Sequence, residues 1–146
     1  MKTVVRIVIF SITFCLASQI LMTSAQADDK KSTMPDSWSG VVRDTALRGL
    51  APDKGYVADD KTWKNLWNKW RGDQSEPPKI DFAKEIVLVA TAKGPNQMFG
   101  KPRLNKEGAV LFTPAATLMG GPGFGYLLAR LPIEGVKSIN QKPFSP

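Results

Sequence analysis

The sequence predicts an α+β domain in which one amphipathic helix lies on a mostly antiparallel sheet. Three observations carry that expectation. Trp63, Leu66, Trp67 and Trp70 recur at i, i+3, i+4 and i+7, a single apolar stripe on a helix. Glu85 to Ala92 is apolar at both alternating sets of positions, which marks a central strand covered on both faces. Asn105-Lys106-Glu107-Gly108 separates two short β-type runs, as a hairpin turn does.

The elements follow in chain order. Trp38 to Asp44 and then Ala46 to Leu50 read as short strand material, and Ala51-Pro52-Asp53-Lys54-Gly55 as a turn. The helix runs from the Asp59-Asp60 cap to Arg71, whose charge suits the negative carboxyl end, and Gly72 stops it. Asp73 to Lys79, with Pro77-Pro78, is a loop, and Glu85 to Ala92 is the central strand. Met98 to Leu104 pairs with Ala109 to Thr113, Pro102 placing the first of these at an edge or a bulge. A Gly- and Pro-rich loop to Gly123 precedes the apolar strand Phe124 to Leu131, and Gly135 to Asn140 adds a short edge piece. The single domain spans 38–140, after a flexible leader over 28–37 and before a loose tail over 141–146; no internal repeat is visible.

The first 27 residues read as a Sec-type signal peptide. Lys2 and Arg6 open it, an apolar run extends from Ile7 to Met22, and Ala25 and Ala27 supply the small side chains that signal peptidase needs at −3 and −1. The rival is an uncleaved anchor, because the apolar run approaches the ~18 residues of a spanning helix. A lipid-attachment site is a weaker rival than the anchor, because Cys15, the only cysteine, sits inside the apolar run and Thr13-Phe14 ahead of it lacks the small residues such a site requires. Cleavage after Ala27 removes that thiol and two of the cations behind the formal charge of +7. The exported domain then relies on its core rather than on disulfides, and its remaining basic excess favours anionic partners or simple solubility. The location expected is periplasmic or secreted, which leaves nucleic acid aside, and no membrane span persists after cleavage.

With no histidine anywhere and no cysteine after the leader, histidine-based triads, the usual zinc sites, haem attachment and thiol chemistry have no residues to work with. Carboxylate chemistry survives on paper in Asp81 and Glu85 at the entry to the central strand, although solvated charges at a strand end are the plainer reading. Lys137 and Ser138 are neighbours on a strand and point to opposite faces, a poor dyad. No catalytic residue, cofactor or metal site is assigned.

Binding is the expectation that remains. Helical spacing makes the tryptophan stripe core more readily than a sugar platform. Trp67 and Trp70, near the helix end and beside Lys64 and Arg71, nevertheless suggest a basic patch with aromatic edges. Gly120-Gly121-Pro122-Gly123-Phe124-Gly125 matches neither the dinucleotide fingerprint nor the phosphate loop. It reads as the solution to a close backbone approach, or as a binding loop with Phe124 at its tip. The candidate partner-binding residues are therefore Lys64, Trp67, Arg71, Phe124 and Tyr126.

From Thr62 to Leu131 the chain resembles the C-terminal domain of PrcB, a protein that stabilises a secreted protease complex. The resemblance lies in Trp63 and Trp67 at Trp-x-x-x-Trp spacing, in Ile80-Asp81-Phe82 where the family has Val-Asp-Phe, and in the strand Glu85-Ile86-Val87-Leu88-Val89 followed by a hairpin and a closing strand. Where the family carries a Gly-Gly-Tyr-type segment, this chain has Lys93-Gly94-Pro95-Asn96-Gln97-Met98. The Gly-Pro-Gly-Phe-Gly-Tyr loop and the ending Glu134 to Asn140 also resemble small exported proteins of planctomycete-type bacteria with no assigned function. The first resemblance implies an accessory module that stabilises or docks onto another exported protein, a protease among the candidates. The basic charge supports the alternative, an acidic polysaccharide or another anionic envelope component as partner.

Overall fold

The computed structural model describes residues 36–72 and 75–145. The expected signal peptide and all but the end of the expected leader lie outside the described residues. Strand β1, Ser37–Val42, begins one residue earlier than expected, and just before it the Asp36 carbonyl accepts from the Arg130 N–H at 2.9 Å. A 3-10 helix, Thr45–Leu50, stands where the sequence suggested a second short strand. The Asp44 carboxylate caps it through the Ala46 N–H, and three-residue spacing turns Leu47 and Leu50 together onto the core.

Strand β2 is Tyr56–Val57, and helix α1 covers Asp60–Arg71. Asp59 caps α1 by accepting from the Thr62 N–H at 2.8 Å, and Gly72 closes it with φ +77° and an N–H bond to the Asn68 carbonyl. Strand β3, Glu85–Lys93, and strand β8, Phe124–Pro132, are nine residues each and pair antiparallel over their whole length. Between them come β4 (Met98–Phe99), β5 (Arg103–Leu104), β6 (Ala109–Leu111) and β7 (Ala115–Ala116). The expected strand over Met98–Leu104 is thus two pieces. Gly100, with φ +155°, packs against Pro114 and turns the chain, and Pro102 supplies no N–H to continue the ladder. The Asn105–Gly108 turn joins β5 to β6 as expected.

The central sheet has the order β1-β8-β3-β2. Period-two alternation sends Phe124, Tyr126 and Leu128 of β8 and Val87 and Val89 of β3 to one face, which α1 covers with Trp63, Leu66, Trp67 and Trp70. Leu127, Ala129 and Leu131 with Ile86 and Leu88 go to the other face, against Met98, Val110, Phe112 and Ile139. Both layers bury large apolar side chains, the main favourable term available to a domain without disulfides.

The carboxyl-terminal part departs from expectation in two ways. Strand β9, Ser138–Ile139, is not an edge piece: it lies between β6, to which it pairs in parallel, and β10, Lys142–Pro143. Among the described residues, Gln141 to Ser145 are not a loose tail. Asn140 and Gln141, both at positive φ, make a tight two-residue turn into β10. The Phe144 N–H then bonds to the Lys137 carbonyl at 2.9 Å, the Phe144 ring rests on Tyr56, and the Tyr56 hydroxyl donates to the Ser145 carbonyl at 2.6 Å. No helix among the described residues is long and apolar enough to cross a membrane.

Candidate binding surface

The five residues singled out by sequence fall into two groups. Trp67 is 3 % exposed, Tyr126 2 % and Phe124 0 %, so these three aromatics present no ring to a partner. Phe124 is not the tip of a loop but the first residue of β8, facing the Trp70 ring at 5.3 Å. Trp70, suggested as partly exposed, is buried as well. The reason lies in hydrogen bonding as much as in packing. The indole N–H of Trp63 donates to the Pro78 carbonyl at 2.9 Å, that of Trp67 to Ser75 at 2.8 Å and that of Trp70 to Leu47 at 2.9 Å. Each tryptophan of the stripe ties another segment of backbone to the helix, and a buried indole needs such a partner.

Arg71 and Lys64 do reach solvent. Arg71 stacks over the Trp67 ring at 4.6 Å and donates to the Tyr126 hydroxyl at 3.1 Å, bringing three of the five residues together. Burial pushes the Tyr126 hydroxyl up from its ordinary range, with the Arg71 charge pulling the other way. Lys64 pairs with Asp60 one turn back at 2.6 Å, beside an open cleft of about 520 Å³ formed with Trp63, Glu76 and Pro77. The helix flank is therefore a structural cluster that shows two cations to solvent.

The Gly-rich loop solves a backbone problem, the first of its two readings. Gly123, φ +107°, lies against the Val42 carbonyl, and Gly125 lies against the Asn96 carbonyl so closely that a Cβ would overlap it. Asn96 is the sole buried polar residue among those described, and its carboxamide is fully used. Its Oδ1 accepts from the Met119 N–H at 2.6 Å and the Thr117 hydroxyl at 3.0 Å, while its Nδ2 donates to the Lys93 and Met119 carbonyls. Nothing in the residue pattern pointed to Asn96; its partners lie up to 23 positions away.

The surface that sequence reading missed belongs to the layer of short strands and to the loop between β7 and β8. Among the described residues six large hydrophobic side chains are exposed, and five of them, Phe99, Leu104, Leu111, Leu118 and Met119, lie between Phe99 and Met119. Phe99 and Leu111 line a groove of about 310 Å³ with Lys101, Arg103 and Thr113, and no acidic residue lines it. The Arg103 guanidinium makes no hydrogen bond or ion pair among the described residues, and Leu111 sits opposite Arg103 on the paired strand. The signal available in the sequence was local: three-residue strands with an apolar residue on each face leave one of them outside.

At the entry to the central strand, Asp81, Lys84, Glu85, Arg130 and Glu134 line an open cleft of about 600 Å³. Glu85 is not a solvated charge: its side chain is 19 % exposed and pairs with the Arg130 guanidinium, which also reaches Asp36 at 3.5 Å. The Glu85 hydrogen bond pushes the Arg130 guanidinium above its ordinary range. Asp81 accepts from the Ala83 N–H at 3.2 Å and pairs with Lys84 at 3.2 Å. Among the described residues no group of three His, Cys, Asp or Glu side chains lies close enough to hold a metal ion. No protein-family model, curated protein or solved structure matches the chain, so the resemblance to the PrcB domain rests on the residues quoted for it.

Proposed function

We propose that this protein is an exported, non-catalytic binding domain that docks onto another extracytoplasmic protein, a protease being the class the PrcB resemblance implies. The observation that carries the reading is the groove in the short-strand layer, lined by the exposed large hydrophobic side chains Phe99 and Leu111. Exposed apolar residues gathered in one place are characteristic of interaction sites, and most other large hydrophobic side chains among the described residues are covered. Engagement of both strand-entry carboxylates, Glu85 by Arg130 and Asp81 by Lys84, supports a non-catalytic reading. The docking face thus moves from the helix flank to the opposite side of the sheet.

A second reading, an acidic polysaccharide as ligand, is favoured by Lys101 and Arg103 in a groove that has no acid in its lining. Salt separates the two. Affinity capture with the exported chain from periplasmic and secreted fractions is run at low and high ionic strength, beside a Leu111→Asp variant. One stoichiometric protein retained at high salt and lost from the variant is the expected result. Retention of nothing but salt-labile polyanion overturns the protein reading in favour of the glycan.

A further inference from the structure

The loop between β7 and β8 combines three features that the docking groove does not use. Leu118 at its crest is fully exposed and Met119 beside it is more than half exposed. The backbone on both sides of Leu118 is nonetheless fixed. Asn96 holds the hydroxyl of Thr117 and both the N–H and the carbonyl of Met119, and the Thr117 N–H bonds to the Gln97 carbonyl at 3.0 Å. The crest is an apolar pair presented on a rigid mount, with little ordering cost left when it is buried.

Charge is arranged around this crest in a definite way. From Gly108 to Ala129 there is no charged residue, so no side-chain charge in the loop opposes entry into an apolar medium. Cations stand where the loop returns to the sheet. Gly123 lies between the backbone of Val42 and Arg43 at the end of β1 and the end of β3, where Lys93 pairs opposite Phe124 and the Gly94 N–H bonds to the Gly123 carbonyl. Both Arg43 and Lys93 are exposed, while Asp44, the acid beside Arg43, is turned into its cap on the Ala46 N–H.

We propose that Leu118 and Met119 insert into the interfacial layer of an anionic lipid bilayer while Arg43 and Lys93 engage the headgroups. An uncharged apolar tip above a cationic base matches the depth profile of such a bilayer, with hydrocarbon inside and negative charge at the surface. A protein pocket would match the tip but not require the separation of charge. The site is distinct from the Phe99–Leu111 groove, so the two readings stand or fall separately.

The test is flotation of the exported chain with vesicles of phosphatidylcholine alone and of phosphatidylcholine mixed equally with phosphatidylglycerol. Flotation with the anionic vesicles only is expected. Leu118→Ser combined with Met119→Ser should weaken it about tenfold or more, without moving the urea midpoint, because both side chains are exposed. Arg43→Gln with Lys93→Gln should weaken it by a similar factor and reduce its salt dependence. Failure of the wild-type chain to float with anionic vesicles overturns the proposal, and so does undiminished flotation of the double serine variant. Loss of a captured protein partner by the serine variant, with no vesicle binding by wild type, reassigns the crest to a protein interface.

Discussion

On one face of the central sheet, helix α1 sets Trp63, Trp67 and Trp70 against Phe124 and Tyr126, each of the three indole N–H groups bonded to a backbone carbonyl outside the helix. On the other face the cover is made of strands two and three residues long and the segments joining them, which bury Met98, Val110 and Phe112 yet leave Phe99, Leu104 and Leu111 outside. The difference is one of geometry. A twelve-residue helix concentrates its apolar residues on one stripe and buries them together. A two-residue strand has one side chain inward and one outward, so an apolar sequence there puts half of its surface into water. The helix face buries its apolar residues, and the short-strand face leaves apolar surface exposed.

Substitutions sharpen that contrast. The largest effect should come from Gly125→Ala, because the added Cβ overlaps the Asn96 carbonyl with backbone on both sides. A loss of about 3 kcal/mol or more, or failure to fold, is expected in urea titration followed by circular dichroism. Trp67→Ala should follow at about 3–5 kcal/mol, since it empties a buried site and strands the Ser75 carbonyl. A loss of less than 1 kcal/mol there would return Trp67 to the candidate contact surface.

Asp59→Ala should cost about 1 kcal/mol at neutral pH through loss of the helix cap. Bonding to the Thr62 N–H holds the Asp59 carboxyl below its ordinary value of 3.8. A depressed folded-state value means that its contribution is present above 3.8 and fades as the pH falls below it, so wild type and variant should converge in acid. The smallest effect is expected from Leu111→Ser, within about 0.5 kcal/mol, because its side chain is half in water. The same variant should nonetheless lose protein capture, which is the sharpest statement of the division between the two faces.

Much of the helix face was legible in the sequence. Asp59, the apolar stripe and Gly72 are local signals, and each sits where local chemistry put it. The sites of Phe124 and Tyr126 were legible in part. Their i, i+2 spacing places them on one face of a strand, but only the sheet order shows that α1 covers that face. The 3-10 helix was misread because Ala46–Leu50 is apolar enough for a strand, and the Asp44 cap that decides the matter uses a single hydrogen bond. The parallel β6–β9 pair, the docked Phe144 and the Asn96 hub depend on partners far along the chain, which no local pattern encodes.

The aromatic packing has a spectroscopic consequence. All four tryptophans of the chain belong to the helix side: Trp38 lies 5.6 Å from both Trp63 and Trp67, those two are 5.1 Å apart, and Trp70 faces Phe124 and Tyr126. Intrinsic fluorescence therefore watches one half of the molecule, through rings close enough to exchange excitation among themselves. A local opening of the short-strand layer would leave the emission spectrum almost unchanged while its amide hydrogens exchanged with solvent. An indole introduced at Phe99, on the silent side, would give that half a signal of its own.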